Sequence, residues 1–173
     1  MVFCILFDAN CQSLDDESIF LNTFFKDYVK VDGKIYYKIG VDSMIRQTTL
    51  QNVLSGELKD RIKSKSNNKI NNRVSLDSNE VVELARKISD MENFPLKQRP
   101  LRNSKRLKSR LKDSSLPNVY FVLSRPIFFR NNSMCIIIYE QHCGDRYGSA
   151  ASLVFMNVSG KWTRLFLLDS WVS

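Results

Sequence analysis

Glu140, His142 and Arg146 bring together three side-chain types that could act on a phosphodiester. A carboxylate and an imidazole can serve as general base and general acid, and an arginine can hold the phosphate, as a small ribonuclease requires. Glu140 and His142 are two residues apart beside an apolar run, so on a strand they would share one face. The pattern therefore predicts a candidate acid–base pair. The alternative is a histidine with a purely structural role.

The cysteines offer less chemistry. Cys143 follows His142 directly, but neighbouring residues on a strand point to opposite faces, so we do not expect a Cys–His catalytic pair. Cys4, Cys11, Cys135 and Cys143 lack CxxC spacing, and a single His makes a structural zinc site a poor fit. We predict no metal and no cofactor. The thiols are either free and buried or form one disulfide, between an N-terminal and a C-terminal cysteine or between Cys135 and Cys143 across a bend.

The positive charge of the chain is concentrated in residues 97–112. The chain has 26 basic and 18 acidic residues, and eight of the basic ones lie in this segment without an acidic residue, so the remainder carries 18 of each. Two interpretations remain open. The segment is a solvated connector, with a short helix over residues 104–112, or it binds a polyanion or an acidic protein partner. The candidate binding residues are Lys97, Arg99, Arg102, Lys105, Arg106, Lys108, Arg110 and Lys112.

The candidate acid–base pair lies in the C-terminal third, which has the pattern of an antiparallel meander. Four apolar stretches follow one another there, at residues 119–129, 134–139, 152–158 and 162–168. Asn-rich turns separate them at residues 130–133 and 157–160, so neighbouring strands should pair. Residues 135–138 are apolar at every position, which favours a central strand covered on both faces. The upstream helices must supply that cover.

Three helices and a hairpin are expected upstream. The first helix starts at Ser13 and carries an aromatic stripe of Phe20, Phe24 and Tyr28 that should join the core. Asp32-Gly33 between two alternating stretches predicts a small hairpin over residues 29–39. A second helix should follow Asp42-Ser43 and extend toward Ile62.

The third helix should begin at Ser78, after a polar loop over residues 64–73. Pro95 should end it. Its predicted apolar face consists of Val81, Val82, Ala85, Ile88 and Met91.

Part of the meander resembles a group of Bacteroidetes proteins of the secreted or lipoprotein type. The similarity covers residues 120–162 and consists of Ser124-Arg125-Pro126-Ile127-Phe128, an apolar strand ending in Tyr139, Cys143-Gly144 and Gly160-Lys161-Trp162. The group's pattern reads S-K-P-I-F, then C-G-x-x-C-G, then G-x-W. Tyr147 stands here in place of the second cysteine. The resemblance implies a meander and carries no known activity.

Residues 1–12 form a separate N-terminal segment that includes Cys4 and Cys11. It is either the remnant of a lipoprotein signal or an N-terminal strand with a buried Cys4, since Asp8 interrupts its apolar run. Export or lipid anchoring and a cytoplasmic location therefore both remain open. No apolar run approaches the roughly 20 residues that a membrane-spanning helix needs.

Together these patterns predict an α+β fold in a single domain over residues 13–173. N-terminal helices and a small hairpin should pack on a four- to five-stranded antiparallel meander, with a basic connector at residues 97–112 and an element order similar to cystatin-like or NTF2-like folds. The expected function is a non-enzymatic binding or interaction module, for example an immunity protein that binds a toxin. The alternatives are a small basic ribonuclease-like enzyme or toxin, and a nucleic-acid-binding protein without catalysis.

Overall fold

The computed structural model describes residues 14–29, 34–60, 73–92, 103–107, 116–144 and 147–172. Within these ranges a mixed sheet has helices on both of its faces, which confirms the predicted α+β fold. None of the described helices has the length and apolar composition that a membrane span would need. Residues 1–12 lie outside the described ranges, and the likeness to cystatin-like or NTF2-like folds stays a prediction.

The described helices are α1 (Leu14–Thr23), α2 (Ser43–Leu54) and α3 (Ser78–Ser89). The π-helical segment Phe24–Val29 continues α1 directly, and the 3₁₀ turn Asp90–Glu92 follows α3. Asp42 caps α2 by accepting the backbone N–H of Met44 at 2.7 Å. The N-cap of α3 is Asp77, one residue before the predicted Ser78, and it forms a capping box with Glu80.

In the described ranges, nine strands form two sheets. They are β1 (Ile35–Ile39), β2 (Glu57–Lys59), β3 (Arg73–Ser75), β4 (Ser104–Arg106), β5 (Val119–Leu123), β6 (Ile127–Phe129), β7 (Met134–Cys143), β8 (Tyr147–Val158) and β9 (Lys161–Val172). The main sheet has the order β4-β1-β5-β7-β8-β9, with β6 also paired to β7, whereas β2 and β3 form a separate antiparallel pair. The predicted meander is confirmed, since β5, β7, β8 and β9 pair antiparallel in this order.

The sheet is covered on both faces, as the apolar run in β7 predicted. On the first face, Phe20 of α1 packs edge-on against Phe128, Phe155 and Trp162 in one aromatic cluster. We call this the α1 face. On the second face, α2 and α3 cover alternate residues of the same strands, including Ile136 and Ile138. We call this the α2 face.

The predicted hairpin at Asp32-Gly33 is wrong. Val29 ends a helical segment, and β1 pairs in parallel with both β4 and β5. Parallel neighbours need a long connection, which a local turn signal cannot reveal. Residues 30–33 lie outside the described ranges. The antiparallel β2–β3 pair forms instead where the second helix was expected to continue, because Gly56 with φ +73° ends α2.

Two further expectations need correction. Residues 104–106 form the edge strand β4 rather than the start of a short helix, because they pair in register with Ile35, Tyr36 and Tyr37. In α3 the buried residues are the predicted Ile88 and also Leu84, whereas Val82 is 70% exposed. The apolar positions Val81, Leu84, Ala85 and Ile88 fit the helical period better.

The segment Ser124-Arg125-Pro126 separates β5 from β6 and has a structural role. The hydroxyl of buried Ser124 accepts the backbone N–H of Ile138 at 2.9 Å, so pairing with β7 continues across the interruption. Arg125 forms an ion pair with Glu17 of α1, whose side chain is buried. These two contacts tie the interrupted strand to β7 and α1.

Candidate functional site

Glu140 and His142 lie on one face of β7, the α2 face, as their spacing predicted, and their side chains also contact each other. His142 Nε2 is 3.0 Å from Glu140 Oε2. Glu140 Oε1 accepts the backbone N–H of Asp42, the cap of α2, at 2.6 Å. The carboxylate is therefore held from both sides, with its side chain 14% exposed against 33% for His142.

This contact changes the roles that the pair could play. A general acid and a general base acting on one phosphodiester need the substrate between them, and a 3.0 Å hydrogen bond leaves no such space. Glu140 is suited instead to orienting His142, since a carboxylate that accepts from Nε2 fixes the ring and its tautomer. Arg146, the predicted phosphate clamp, lies outside the described ranges.

The ring of His142 also stacks on Tyr120. The two residues are directly paired across β5 and β7, and their ring centroids are 4.6 Å apart with an interplanar angle of 2°. On the other side of Tyr120, the Lys38 ammonium lies 5.2 Å from the ring centroid, within the range of a cation–π interaction. The aromatic ring is thus held between a cation and an imidazole.

Register extends this arrangement across four strands. Tyr36 and Tyr120 each come one residue before the paired Tyr37 and Phe121, so they occupy equivalent positions on β1 and β5. Tyr36 is itself paired with Lys105 on β4. We call Lys105, Tyr36, Tyr120 and His142 the transverse row. Lys105 is exposed, and the three aromatic residues are partly exposed.

The basic segment contributes to this site through the edge strand. Of its eight predicted binding residues, the structure describes Lys105 and Arg106, and the other six (Lys97, Arg99, Arg102, Lys108, Arg110 and Lys112) lie outside the described ranges. Lys105 shares the face of Tyr36, whereas Arg106 is paired with Tyr37 and faces the other side. Burial raises the pKa of Tyr37, and the nearby Arg106 partly offsets this effect.

Of the alternatives left open for the cysteines, a disulfide between Cys135 and Cys143 does not form, because both thiols are free. They lie eight residues apart on the same strand, which separates them by about 27 Å, far beyond the reach of a disulfide. Cys143 contacts the Gln141 amide at 3.5 Å, and Cys4 and Cys11 lie outside the described ranges. Among the described residues, no three His, Cys, Asp or Glu side chains cluster as a metal site would require.

Sequence reasoning missed Tyr36, Lys38 and Tyr120. The alternation of Tyr36 and Lys38 was visible, but only the parallel pairing of β1 with β5 places them beside His142. Comparisons with protein-family models, with curated proteins and with solved structures gave no match for this chain. The resemblance to the Bacteroidetes proteins therefore stays a prediction, and the function must be argued from the geometry of the transverse row.

Proposed function

We propose that this protein is a non-enzymatic binding module whose ligand is a nucleic acid. The transverse row and the neighbouring Lys38 carry the proposal, because partly exposed rings lie there beside lysines on the neighbouring strands β4 and β1. Proteins that bind nucleic acids through a sheet use this combination, with stacking on aromatic side chains and electrostatic attraction to phosphates.

The charge distribution supports the same ligand. Outside residues 97–112 the basic and acidic residues are equal in number, so the net charge of +8 comes from the segment that includes β4. Lys105 places part of this charge beside Tyr36. A phosphate backbone crossing β4 and β1 would meet Lys105 and Lys38 and release counterions on binding.

Fluorescence anisotropy with labelled single-stranded RNA and duplex DNA, at about 50 and 200 mM salt, tests the proposal. We expect affinity to fall steeply with salt. Lys105→Ala and Lys38→Ala should each weaken binding and reduce the slope of log K against log salt by about 0.7 on single strands. Lys161→Ala, an exposed lysine at the β8–β9 turn, is the matched control and should bind like the wild type. Absence of binding at low salt would overturn the proposal.

The same samples test the ribonuclease alternative. Because Glu140 holds His142 rather than facing it across a substrate, we expect the RNA to be recovered intact after incubation. Cleavage that falls by a factor of about 100 in His142→Ala would favour an enzyme instead.

A protein partner is a second candidate, favoured by the outer edge of β9. This strand has twelve residues, and no described strand pairs with its outer side. Trp171 and Val172 are exposed near its end. An edge of this kind can accept an added strand from a partner, and an immunity protein could bind a toxin through such backbone pairing without any catalytic residue. A protein partner that the wild type and Lys105→Ala both capture, but that Trp171→Lys does not, would favour this candidate.

A further inference from the structure

Lysines and one aromatic ring alternate along β1 on the α2 face. Lys34 and Lys38 lie two residues before and after Tyr36, so strand alternation directs all three side chains to the same side. The intervening Ile35 and Tyr37 are buried in the core of the α1 face. Two residues of a strand span about 6.6 Å, so a cation follows the ring at this interval in both directions along β1.

Lys105 adds a third ammonium group next to the same ring. It is paired with Tyr36 across β4 and β1, which lie about 4.8 Å apart. We call Lys34, Lys38 and Lys105 the lysine triad. Lys34 and Lys105 are exposed, and Lys38 is partly exposed. In the part of the chain that the structure describes, no member of the triad forms an ion pair with a carboxylate. The positive charge of the triad is therefore available to a ligand.

The strands around the triad carry no negative charge. The described strands β4, β1 and β5 contain neither Asp nor Glu. On the same face, Glu140 of β7 lies opposite Val122 of β5 and brings the first carboxylate of the neighbouring strand. A phosphate chain that continued across the sheet would approach this carboxylate and be repelled, whereas a chain that follows β1 stays beside the lysine triad.

We propose that a single-stranded nucleic acid lies along β1, with its phosphates on the lysine triad and one base on the ring of Tyr36. Phosphates and bases alternate along a nucleic acid, as the lysines and the ring alternate along the strand. A base that is already stacked on both sides in a duplex cannot also stack on a side chain, which favours a single strand. This inference rests on the proposed function. It adds Lys34 to the binding surface and gives the direction of the ligand.

The salt dependence of binding tests the triad, measured by fluorescence anisotropy of a labelled dT12 oligonucleotide at about 50 and 200 mM salt. Lys34→Ala, Lys38→Ala and Lys105→Ala should each lower the slope of log K against log salt by about 0.7, and the triple variant should lower it by about 2. Lys161→Ala removes an exposed lysine at the β8–β9 turn, so it is the matched control and should keep the wild-type slope.

The response of Lys34→Ala separates this inference from the proposed function. If Lys34→Ala binds like the wild type while Lys38→Ala and Lys105→Ala bind weakly, the path along β1 is refuted and the proposed function stands. If the wild type binds a duplex but not dT12, the single-strand assignment is refuted and the proposed function again stands. If the wild type binds neither, both fall.

Two variants of Tyr36 test the position of the base. Tyr36→Thr removes the ring but suits a strand, and it should lower the affinity for dT12 about tenfold, within the range for loss of one stacked base. Its affinity for a duplex should stay unchanged, which also shows that the variant is folded. Tyr36→Phe keeps the ring and should bind dT12 within about threefold of the wild type. Equal affinities of Tyr36→Thr and the wild type for dT12 would overturn the stacking on Tyr36.

Discussion

Replacing Glu140 with Gln should move the proton on the neutral His142 ring from one nitrogen to the other. A carboxylate can only accept, so in the wild type Nε2 carries the proton that is directed at Glu140 Oε2, 3.0 Å away. The second oxygen accepts the Asp42 N–H at 2.6 Å. In the variant this N–H still needs an acceptor, so the amide oxygen takes that position. The amide NH₂ then faces Nε2, which must accept, and the proton moves to Nδ1.

The size of the effect follows from the burial of the pair. Hydrogen bonds to charged groups contribute about 1.5–3 kcal/mol, and partial solvent access to His142, 33% exposed, places this one near the lower limit. About 1.5 kcal/mol corresponds to a roughly tenfold excess of the Nε2–H tautomer in the wild type. The variant should show an excess of the other tautomer.

Long-range proton–nitrogen spectra of the imidazole at alkaline pH measure this ratio directly. The chain contains one histidine, so every ring signal belongs to His142. Glu83→Gln, which removes a half-exposed carboxylate paired with Lys87 on α3, is the control and should leave the ring unchanged. The same tautomer in wild type and Glu140→Gln would refute the reasoning, because Glu140 would then not orient the His142 ring.

Three further predictions concern the fold. Phe20→Ala should lower the free energy of unfolding in urea by about 3–5 kcal/mol, because Phe20 is fully buried. Ile19 is 54% exposed, so the control Ile19→Ala should change this free energy by about 0.5 kcal/mol or less. Equal effects of the two substitutions would contradict the packing of α1. Arg130 lowers the pKa of Glu80 below its usual 4.5, so this pair stabilises the fold above that pH and less below it. The stability deficit of Arg130→Met should therefore shrink as pH falls through the lowered pKa of Glu80, and a constant deficit in urea unfolding would oppose the assignment. Burial raises the pKa of the Cys135 thiol well above its usual value. In a variant with Cys4→Ser and Cys11→Ser, iodoacetamide should therefore label Cys143 before Cys135, which mass spectrometry can measure. Equal labelling of the two thiols in the folded protein would contradict this prediction.

The C-terminal strands could be predicted from the sequence because apolar runs and turn residues marked each of them. Asn131, Asn132 and Ser159 adopt positive φ in the two predicted turns, which short polar side chains tolerate. Residues 135–138 indicated cover on both faces, and the helices supply it. Glu140 and His142 were expected on one face because strand alternation depends only on spacing.

The rest of the candidate site depends on pairing between residues far apart in the chain. Tyr36 is 84 residues before Tyr120 along the sequence, and no local pattern specifies that β1 lies parallel to β5. The Asp32-Gly33 signal favoured a hairpin, but the pairing of β1 with β4 and β5 prevailed over it. Sequence alone could thus single out His142 and the basic segment as candidates, without showing that Lys105 and His142 lie on one face of the same sheet.

The position at which α2 begins explains why the proposed binding surface lies at this end of the sheet. Only Gly40, Val41 and Asp42 separate β1 from α2, so the helix must begin close to the strand that carries Tyr36 and Lys38. From the Asp42–Glu140 contact, α2 covers Ile138 and Ala150 through Ile45 and approaches β8 and β9. The transverse row lies on the other side of that contact. The same Glu140 carboxylate therefore contacts the start of the helix and fixes the imidazole in the partly exposed transverse row, which couples the fold to the proposed site.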